Sequence, residues 1–396
     1  MKKWILPLVL LLLFVVEILG IYFIMPFPGS QYDNTVGIAW FFHKNLIWIR
    51  ILFLLIVFWQ VYKLIKNKKY WRFGFTIFFL FLYTIIAWFI NTKMNADTMF
   101  FQPENKIFAG VAENKIAEGK LIIGVEINNE SKAYPIEIIG YHHQVRDIVG
   151  GKEIMVTYCT VCRTGRVFDP VINGISENFR LVGMDHFNAM FEDESTGSWW
   201  RQATGEAITG KSKGTKLTEI NSEQMTLAAW IRKHPQTKIM QPDTLFLKQY
   251  ADLSGFDEGT INSDLEQRDE NAFQFKSWVV AININSRSKA YDWNYLLEKK
   301  VINDEFERTP VLLVIENDNK SFHVWSRKVD SEILQFVPDE SSNNFRDTNT
   351  NSVWNYDGNC TEGVYAGKQL LIIKSSQEFY HAWQQFNPEG VSYKIK

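Results

Sequence analysis

The stretch Gly124-Val-Glu-Ile-Asn-Asn-Glu-Ser-Lys-Ala-Tyr134 returns 157 residues later as Ala281-Ile-Asn-Ile-Asn-Ser-Arg-Ser-Lys-Ala-Tyr291. In both copies a short apolar run reaches a cluster of polar turn residues and is followed by a second short run, which is the pattern of a β-hairpin. The same offset holds without a gap as far as Asp147 and Asp304. We therefore predict two units of roughly 150 residues that are related by duplication.

Later segments of the two units also resemble each other. The segment Ser198–Gly210 resembles Ser352–Gly363, and Ala229-Trp230 resembles Ala382-Trp383. We expect an α+β, strand-dominated fold of two tandem related units with an internal pseudo-twofold. The expected segments are a first unit at 94–240, a polar crossover rich in Asp, Glu, Gln and Asn at 241–277, and a second, degenerate unit at 278–396.

Within the first unit, the spacing of apolar residues predicts individual elements. Short runs that end at turn residues indicate strands, and apolar spacing of three to four indicates helices. The predicted elements are hairpin strands at Leu121–Asn128 and Lys132–Ile136, a short helix at Ile136–Val145, a buried strand at Lys152–Tyr158, and helical spacing at Ser222–His234 and, in the second unit, Ser375–Phe386.

Residues 1–93 are expected to form a membrane anchor. They contain three apolar runs, Trp4–Met25, Leu46–Tyr62 and Phe73–Ile90. About 20 residues of α-helix cross the hydrocarbon core, so three transmembrane helices are predicted. The second run is the weakest because it contains Arg50, whose side chain we expect to snorkel to an interface.

Charge in the flanking segments predicts the orientation. Lys2, Lys3 and the cationic loop 63–72, which has no acid, are expected on the cytoplasmic side by the positive-inside rule. The protein is then a multi-pass protein of the cytoplasmic (inner) membrane with its C-terminal domain extracytoplasmic. A cleaved signal peptide is the alternative for the first run, but that run is long and lacks a small-x-small cleavage site. The spans themselves are expected to be a plain anchor, despite the charges of Glu17 and Arg50.

The composition excludes two classes of protein. Residues 94–396 contain 32 basic and 42 acidic side chains, an acidic excess that gives no electrostatic footprint for nucleic acid. The chain has three cysteines, too few for a disulfide framework.

The strongest chemical motif is Tyr158-Cys159-Thr-Val-Cys162-Arg163-Thr-Gly-Arg166, between two predicted strands. A C-x-x-C pair places two sulfurs within reach of a disulfide or of one metal ion. In the second unit the positions equivalent to the two cysteines are Glu316 and Asn319, and those equivalent to His142 and His143 are Lys299 and Lys300. This pattern predicts one working site and one structural partner.

Three interpretations of the cysteine pair stay open. The first is a structural disulfide. The second is a thiol redox pair in an exposed turn, where the charges of Arg163 and Arg166 favour the thiolate form. The third is a zinc or copper site. Its ligands would be Cys159 and Cys162 with one or two of His142, His143 and His186. A four-cysteine site, haem attachment, a thioredoxin fold and a serine nucleophile are not supported by the sequence.

A second motif, Asp193-Glu-Ser-Thr-Gly-Ser198, precedes Trp200 and Gln202. Asp and Ser in such a run are typical of a turn that caps a strand. The alternative is that these side chains line a pocket.

Together these motifs resemble the bacterial and archaeal family called domain of unknown function 3179, over roughly residues 110–390. Its pattern comprises R-A-Y-P, H-E-x-x-N-D, V-T-Y-C-P-L-C-G, D-x-x-T-x-S-x-W-x-Q, G-x-A-x-x-G and W-x-x-x-H-P. In this family, members with selenocysteine at the position of Cys159 are known, and this resemblance implies redox chemistry there. The chain departs from the pattern beside the cysteines, at Thr160, Val161, Arg163, Gln144 and Arg146. The matching residues are Lys132-Ala-Tyr-Pro135, His142, Asp147, Val156–Cys162, Asp193, Thr196, Ser198, Trp200, Gln202, Gly205–Gly210, Trp230 and His234-Pro235.

The leading hypothesis is a membrane-anchored, extracytoplasmic thiol oxidoreductase or redox sensor. Cys159 is expected to attack, Cys162 to resolve, and His142 to act as base or proton relay. This chemistry requires no cofactor, and the expected partner is an unidentified redox or protein partner on the outer side. The alternatives are a copper- or zinc-binding protein, and a binding module with an inert disulfide. The expected pocket residues are Tyr158, Arg163, Asp193, Ser198, Trp200 and Gln202.

Overall fold

The structure is a computed structural model that describes residues 4–32, 34–339, 342 and 344–395. Lys2 and Lys3, on which the predicted orientation depends in part, lie outside the described residues. The helices are α1 (Ile5–Tyr22), α2 (Val36–Lys66), α3 (Tyr70–Lys93), α4 (Ala96–Met99), α5 (Ile136–His142), α6 (Leu227–Lys233), α7 (Leu247–Ala251), α8 (Trp293–Lys299) and α9 (Tyr380–Phe386).

Most of the remaining chain is in short strands. They are β1 (Phe108–Ala109), β2 (Leu121–Ile127), β3 (Glu130–Pro135), β4 (Gln144–Val149), β5 (Lys152–Cys159), β6 (Thr164–Phe168), β7 (Val171–Ile172), β8 (Ile175–Ser176), β9 (Phe179–Asp185), β10 (Asn188–Asp193), β11 (Trp199–Arg201), β12 (Glu223–Thr226), β13 (Lys238–Met240), β14 (Trp278–Ile284), β15 (Arg287–Asp292), β16 (Val301–Phe306), β17 (Thr309–Ile315), β18 (Phe322–Ser326), β19 (Lys328–Val329), β20 (Glu332–Ile333), β21 (Phe336–Asp339), β22 (Asn344–Asp347), β23 (Val353–Trp354), β24 (Cys360–Glu362), β25 (Ser375–Phe379) and β26 (Val391–Ser392).

The three predicted N-terminal helices are confirmed. By length and composition α1, α2 and α3 can each cross a membrane. Helix α2 begins at Val36, ten residues before the predicted Leu46. The turns of α2 that precede Leu46 are stabilised because Ala39 is buried in an apolar cluster with Ile24 and Trp199.

The charges inside the spans are paired with each other, so the prediction that Arg50 snorkels is wrong. Glu17 is fully buried, and its two carboxylate oxygens accept hydrogen bonds from Arg50 Nε and Nη2, both at 2.6 Å. Tyr83 Oη donates to Glu17 Oε1 at 2.7 Å, and Asn91 Oδ1 accepts from Arg50 at 3.0 Å. Since a charge in hydrocarbon is costly unless it is paired, this network ties α1, α2 and α3 together.

By its contacts the chain divides into two compact units. In the first unit, β11, β10 and β9 form an antiparallel sheet whose Val182 and Met190 belong to the same apolar cluster as Ile24 and Ala39. The segments predicted from the repeats, 94–240, 241–277 and 278–396, stay a prediction. The first unit contains residues 1–101, 177–201 and 206–216, and the second contains residues 102–176, 202–205 and 217–396.

Within the second compact unit, two sets of elements follow the same order. One set is β2, β3, α5, β4, β5 and β6, and the other is β14, β15, α8, β16, β17 and β18. Gly124 lies opposite Ala133, just as Ala281 lies opposite Ala290. The paired residues of the two hairpins therefore differ by the 157 residues that separate the sequence motifs.

The Lys-Ala-Tyr motif has the same contacts in both sets. In the first, Lys132 Nζ and Tyr134 Oη donate to Asp147 Oδ2 at 2.9 and 2.7 Å. In the second, Lys289 and Tyr291 donate to Asp304 Oδ2 at 2.5 and 2.8 Å. The motif thus fastens the hairpin to the first strand of the next sheet.

The predicted hairpin is confirmed, whereas three predicted helices are shorter than expected. Helix α5 ends at His142 because His143 is left-handed (φ 60°) and the chain then enters β4. The segments Ser222–His234 and Ser375–Phe386 both begin as strands and become helical only at Leu227 and Tyr380. The strands form because each pairs with a distant hairpin strand, a contact that local spacing does not reveal.

Candidate functional site

Cys159 and Cys162 lie at a tight turn between β5 and β6. Cys159 ends β5 opposite Thr164, and the turn closes with Arg163 N–H donating to Thr160 O at 3.1 Å. Arg163 adopts a left-handed conformation (φ 53°), which lets the chain reverse over four residues. Both cysteines are thiols in the structure rather than a disulfide.

The expected exposure of this turn is wrong. The exposed fractions of Cys159 and Cys162 are 2% and 0%. The predicted crossover covers the turn, since Thr160 Oγ1 donates to Glu266 Oε1 at 3.0 Å and the ring of Tyr158 lies edge-on to Phe256. A partner can reach the sulfurs only if this covering segment moves.

The backbone of the turn is held by residues far along the chain. Cys162 O accepts hydrogen bonds from Phe379 N–H at 2.9 Å and from Thr164 Oγ1 at 3.1 Å. Val161 O accepts from Lys276 Nζ at 2.7 Å. The strand β25 and the end of the crossover are therefore as much part of the site as the cysteine motif itself.

Lys276 is the cation of this site that the sequence did not reveal. Burial lowers the pKa of the Lys276 ammonium to about 8, and the charges of Cys162 and Cys159 oppose that shift. Its Nζ also lies 4.5 Å from the centroid of the Phe379 ring. A buried ammonium that interacts with both sulfurs favours their thiolate form.

Arg166 is a second cation that interacts with Cys162. Burial acts to lower the pKa of Arg166, but the charges of Glu378, Glu219 and Cys162 outweigh it and raise that pKa. Its Nη2 donates to Glu378 Oε1 at 2.5 Å.

Arg163 is fully buried and holds the turn in place. Its Nε donates to Gln377 Oε1 at 2.8 Å and its Nη1 to Phe256 O at 2.9 Å. The guanidinium carbon lies 3.6 Å from the centroid of the Trp278 ring, and burial lowers the pKa of Arg163. These contacts make Arg163 an anchor between the turn, the crossover and β14.

Two other predicted pocket residues lie at the same place. Gln202 is fully buried, and its Nε2 donates to Thr157 Oγ1 at 3.0 Å and to Thr164 O at 2.9 Å. Tyr158 is fully buried, and no described residue accepts or donates a hydrogen bond at its hydroxyl. Burial raises the pKa of Tyr158, so this hydroxyl remains protonated and can act as a donor.

The two neighbouring histidines have different surroundings. His142 is fully buried among Tyr141, Phe246 and Tyr250, and its Nε2 lies 2.7 Å from Tyr250 Oη. His143 Nδ1 lies 3.1 Å from Tyr141 O, and burial lowers the pKa of His143 to about 4. Both histidines sit at the end of α5, whose Gly140 approaches Thr160 so closely that an added Cβ would lie 3.0 Å from Thr160 Cγ2.

The ligands expected for zinc or copper do not form a cluster in the described part of the chain. Within residues 4–32, 34–339, 342 and 344–395, no group of three or more Cys, His, Asp or Glu side chains has the arrangement of a metal site. His186 Nδ1 lies 2.6 Å from Asp185 Oδ1, whose other oxygen accepts from Arg201 Nε at 2.8 Å.

Asp193, Ser198 and Trp200 belong to the compact unit that contains the membrane-spanning helices α1, α2 and α3. Asp193 accepts hydrogen bonds from Thr196 N–H at 2.6 Å and from Trp200 Nε1 at 2.7 Å. Ser198 Oγ accepts from Ser212 N–H at 3.0 Å. These bonds satisfy the turn before β11, as expected of a strand cap.

The part of the chain from residue 278 onwards, which we call the second half, contains the same network without a C-x-x-C pair. Asp347 accepts from Thr350 N–H at 2.6 Å and from Trp354 Nε1 at 3.0 Å, and Ser352 Oγ accepts from Val364 N–H at 3.1 Å. Because the network also exists where no C-x-x-C pair is present, it favours the structural role for Asp193, Ser198 and Trp200.

The turn equivalent to the cysteine motif is closed by ion pairs. Glu316 stands at the position of Cys159, and its carboxylate accepts two hydrogen bonds from Arg232 at 2.8 and 2.9 Å. His323 Nε2 lies 2.7 Å from the same carboxylate, and Thr226 N–H donates to Ser321 Oγ at 3.0 Å. This turn is therefore a fixed structural contact.

Comparison with known proteins gives one match. The family model described as "Protein of unknown function (DUF3179)" matches residues 103–390. No curated protein and no solved structure matches the chain.

Proposed function

The chain belongs to the DUF3179 family of proteins of unknown function, and we propose that it is a membrane-anchored thiol redox protein. The cysteine pair would face the outer side of the cytoplasmic membrane, in keeping with the cationic 63–72 loop on the inner side. The proposal rests above all on one observation: Cys159 and Cys162 are buried thiols, and the ammonium of Lys276 donates to Val161 O, between them in the chain, at 2.7 Å.

The proposed reaction is thiol–disulfide exchange. The Cys159 thiolate attacks one sulfur of a substrate disulfide, forms a mixed disulfide and releases the other substrate sulfur as a thiolate. The Cys162 thiolate then attacks Cys159, which releases the second substrate thiolate and leaves a Cys159–Cys162 disulfide. Two electrons pass to the substrate, and the reverse sequence oxidises a substrate dithiol.

Each neighbouring side chain has a proposed role. Lys276 stabilises the thiolates, and Arg163 and Gln202 hold the turn that carries them. His142 serves as proton relay at the end of α5. The Tyr158 hydroxyl, which has no partner among the described residues, is available as a donor.

We further propose that the two halves are related by duplication and that the second half completes the site of the first. The equal 157-residue offset of both hairpins supports a common origin. Lys276, Gln377 and Phe379 all come from the crossover or the second half and contact the cysteine turn. The second half lacks the C-x-x-C pair but supplies Gln377 and Phe379, and the crossover supplies Lys276.

The test measures the redox equilibrium of the pair in the full chain. The Cys360→Ser variant, which lacks the third thiol, is placed in lipid nanodiscs and equilibrated in redox buffers. It is then denatured and alkylated, and its mass is measured by mass spectrometry. We expect a reversible two-electron transition above about −300 mV, the range of exchangeable disulfides. A pair that stays oxidised throughout, or stoichiometric zinc or copper that is lost on Cys159→Ser, would contradict the proposal.

A second measurement tests the role of Lys276. The rate at which the native protein reacts with a small aromatic disulfide is compared for Lys276→Met, Lys276→Arg and Lys299→Met, the last removing an exposed lysine. A nearby charge is worth on the order of 1–2 kcal/mol at the effective dielectric of a protein. Lys276→Met is therefore expected to react roughly tenfold more slowly. Lys276→Arg and Lys299→Met should keep the rate, and an equal loss in Lys276→Arg would indicate a packing effect only.

A further inference from the structure

A cavity opens between the three membrane-spanning helices, at the end that carries the loop from α2 to α3. Its volume is about 410 Å³. Apolar side chains of α1 and α3, among them Leu10 and Phe75, form one wall. Trp4 lines the same cavity near the start of α1. The cavity is thus open to molecules that share the membrane with the helices.

Three cations also line this cavity. They are Lys63 at the end of α2, Lys69 in the loop and Arg72 in the first turn of α3. No acidic residue occurs between positions 63 and 72 of the sequence, so this segment has no negative charge of its own to neutralise them. Lys63 Nζ lies 4.6 Å from the centroid of the Trp59 ring, which holds its side chain along α2. Charge complementarity therefore favours an anionic occupant.

We propose that the cavity binds the headgroup of one anionic phospholipid. The phosphate would lie among Lys63, Lys69 and Arg72, and an acyl chain would lie along Leu10 and Phe75. A lipid matches both the apolar and the cationic residues that line the cavity, whereas a free anion matches only the cationic ones. Basic pockets between membrane helices are the sites where such headgroups bind. This inference is independent of the chemistry at Cys159.

The full chain, purified in a mild detergent, is titrated with dioleoyl phosphatidylglycerol or with the zwitterionic dioleoyl phosphatidylcholine, and bound lipids are counted by native mass spectrometry. We expect one tightly bound phosphatidylglycerol per chain and much weaker binding of phosphatidylcholine. Each cation near a headgroup is worth about 1 kcal/mol, so Lys69→Gln/Arg72→Gln should weaken phosphatidylglycerol binding roughly 30-fold. Both side chains are exposed, so the variant is expected to fold.

The control variant is Lys66→Gln/Lys68→Gln. It removes the same charge from the same loop, but neither residue lines the cavity. We expect it to change phosphatidylglycerol binding less than about threefold. Equal losses in the two variants would mean a general surface attraction and would overturn the site. Displacement of the lipid by millimolar inorganic phosphate would also overturn the proposal, because it would make this a site for free anions.

Discussion

Acid should destabilise the protein through His143, because its imidazole is buried and neutral. Burial lowers the pKa of His143 to about 4, against 6.5 for an ordinary histidine. Between these two pH values the unfolded chain binds a proton that the folded chain does not, so acidification favours unfolding. The stability from His143 is complete above pH 6.5 and is lost as the pH falls towards 4. The loss by pH 4 is about 3 kcal/mol.

The variant His143→Asn isolates this effect. Asparagine tolerates the left-handed conformation of residue 143 (φ 60°) and can donate to Tyr141 O, but it does not titrate. At pH 7 the lost packing should make the variant about 1 kcal/mol less stable than the wild type. At pH 4 it should be about 2 kcal/mol more stable, so the order of the two proteins reverses.

The assay is urea unfolding of the full chain in lipid nanodiscs at pH 7 and pH 4, followed by tryptophan fluorescence. Carboxylates titrate over the same range in both proteins, so only the difference between them is interpreted. His381, whose pKa burial lowers to about 3, is present in both and cancels. If wild type and His143→Asn differ by the same free energy at both pH values, the buried neutral imidazole is not the cause of acid sensitivity.

Three further predictions concern the anchors of the fold. Glu17→Gln should destabilise the helix bundle by about 3 kcal/mol because it leaves the Arg50 charge unpaired. The double variant Glu17→Leu/Arg50→Leu should destabilise it less. Unfolding in mixed micelles with added dodecyl sulfate measures both free energies. Asp193→Asn and Asp347→Asn should each lower the free energy of unfolding by about 1–2 kcal/mol, since each removes one turn network. Neither should change the reaction rate of Cys159. A lower reaction rate of Cys159 in Asp193→Asn alone would give Asp193 a role in the site. Arg163→Lys should lose two hydrogen bonds and about 2–3 kcal/mol, seen as a lower thermal midpoint at unchanged pH.

Those parts of the fold that depend on neighbouring residues could be predicted from the sequence. The hairpin around Asn128 follows from short apolar runs and turn residues, and the membrane spans follow from length and composition. The ends of elements could not be predicted. The helix expected to reach Val145 stops at His142 because Gln144 onwards pairs with β5, and the helix expected from Ser222 begins as a strand because it pairs with β2.

The cysteine pair was recognisable, but its surroundings were not. Lys276 is 114 residues beyond Cys162 in the chain, and nothing in its local sequence sets it apart from other lysines. The burial of the sulfurs has the same origin, since the cover comes from Phe256, Glu266 and other residues of a segment that reads as a polar linker. Long-range packing decides both, and a single sequence does not record it.

The reciprocal contacts of the two halves give the half without the C-x-x-C pair a structural role. The end of β25 in the second half binds the cysteine turn through Phe379 N–H, and the end of β12 in the first half binds the opposite turn through Thr226 N–H. Each half therefore covers the turn of the other. At the cysteine turn the bond leaves two thiols beside the ammonium of Lys276, whereas at the opposite turn Glu316 is held by an ion pair with Arg232. The second half lacks the C-x-x-C pair but keeps the contact that fixes the turn of the first half. A chain that ended at residue 240 would retain the C-x-x-C sequence and lose both Lys276 and the Phe379 N–H that hold its turn.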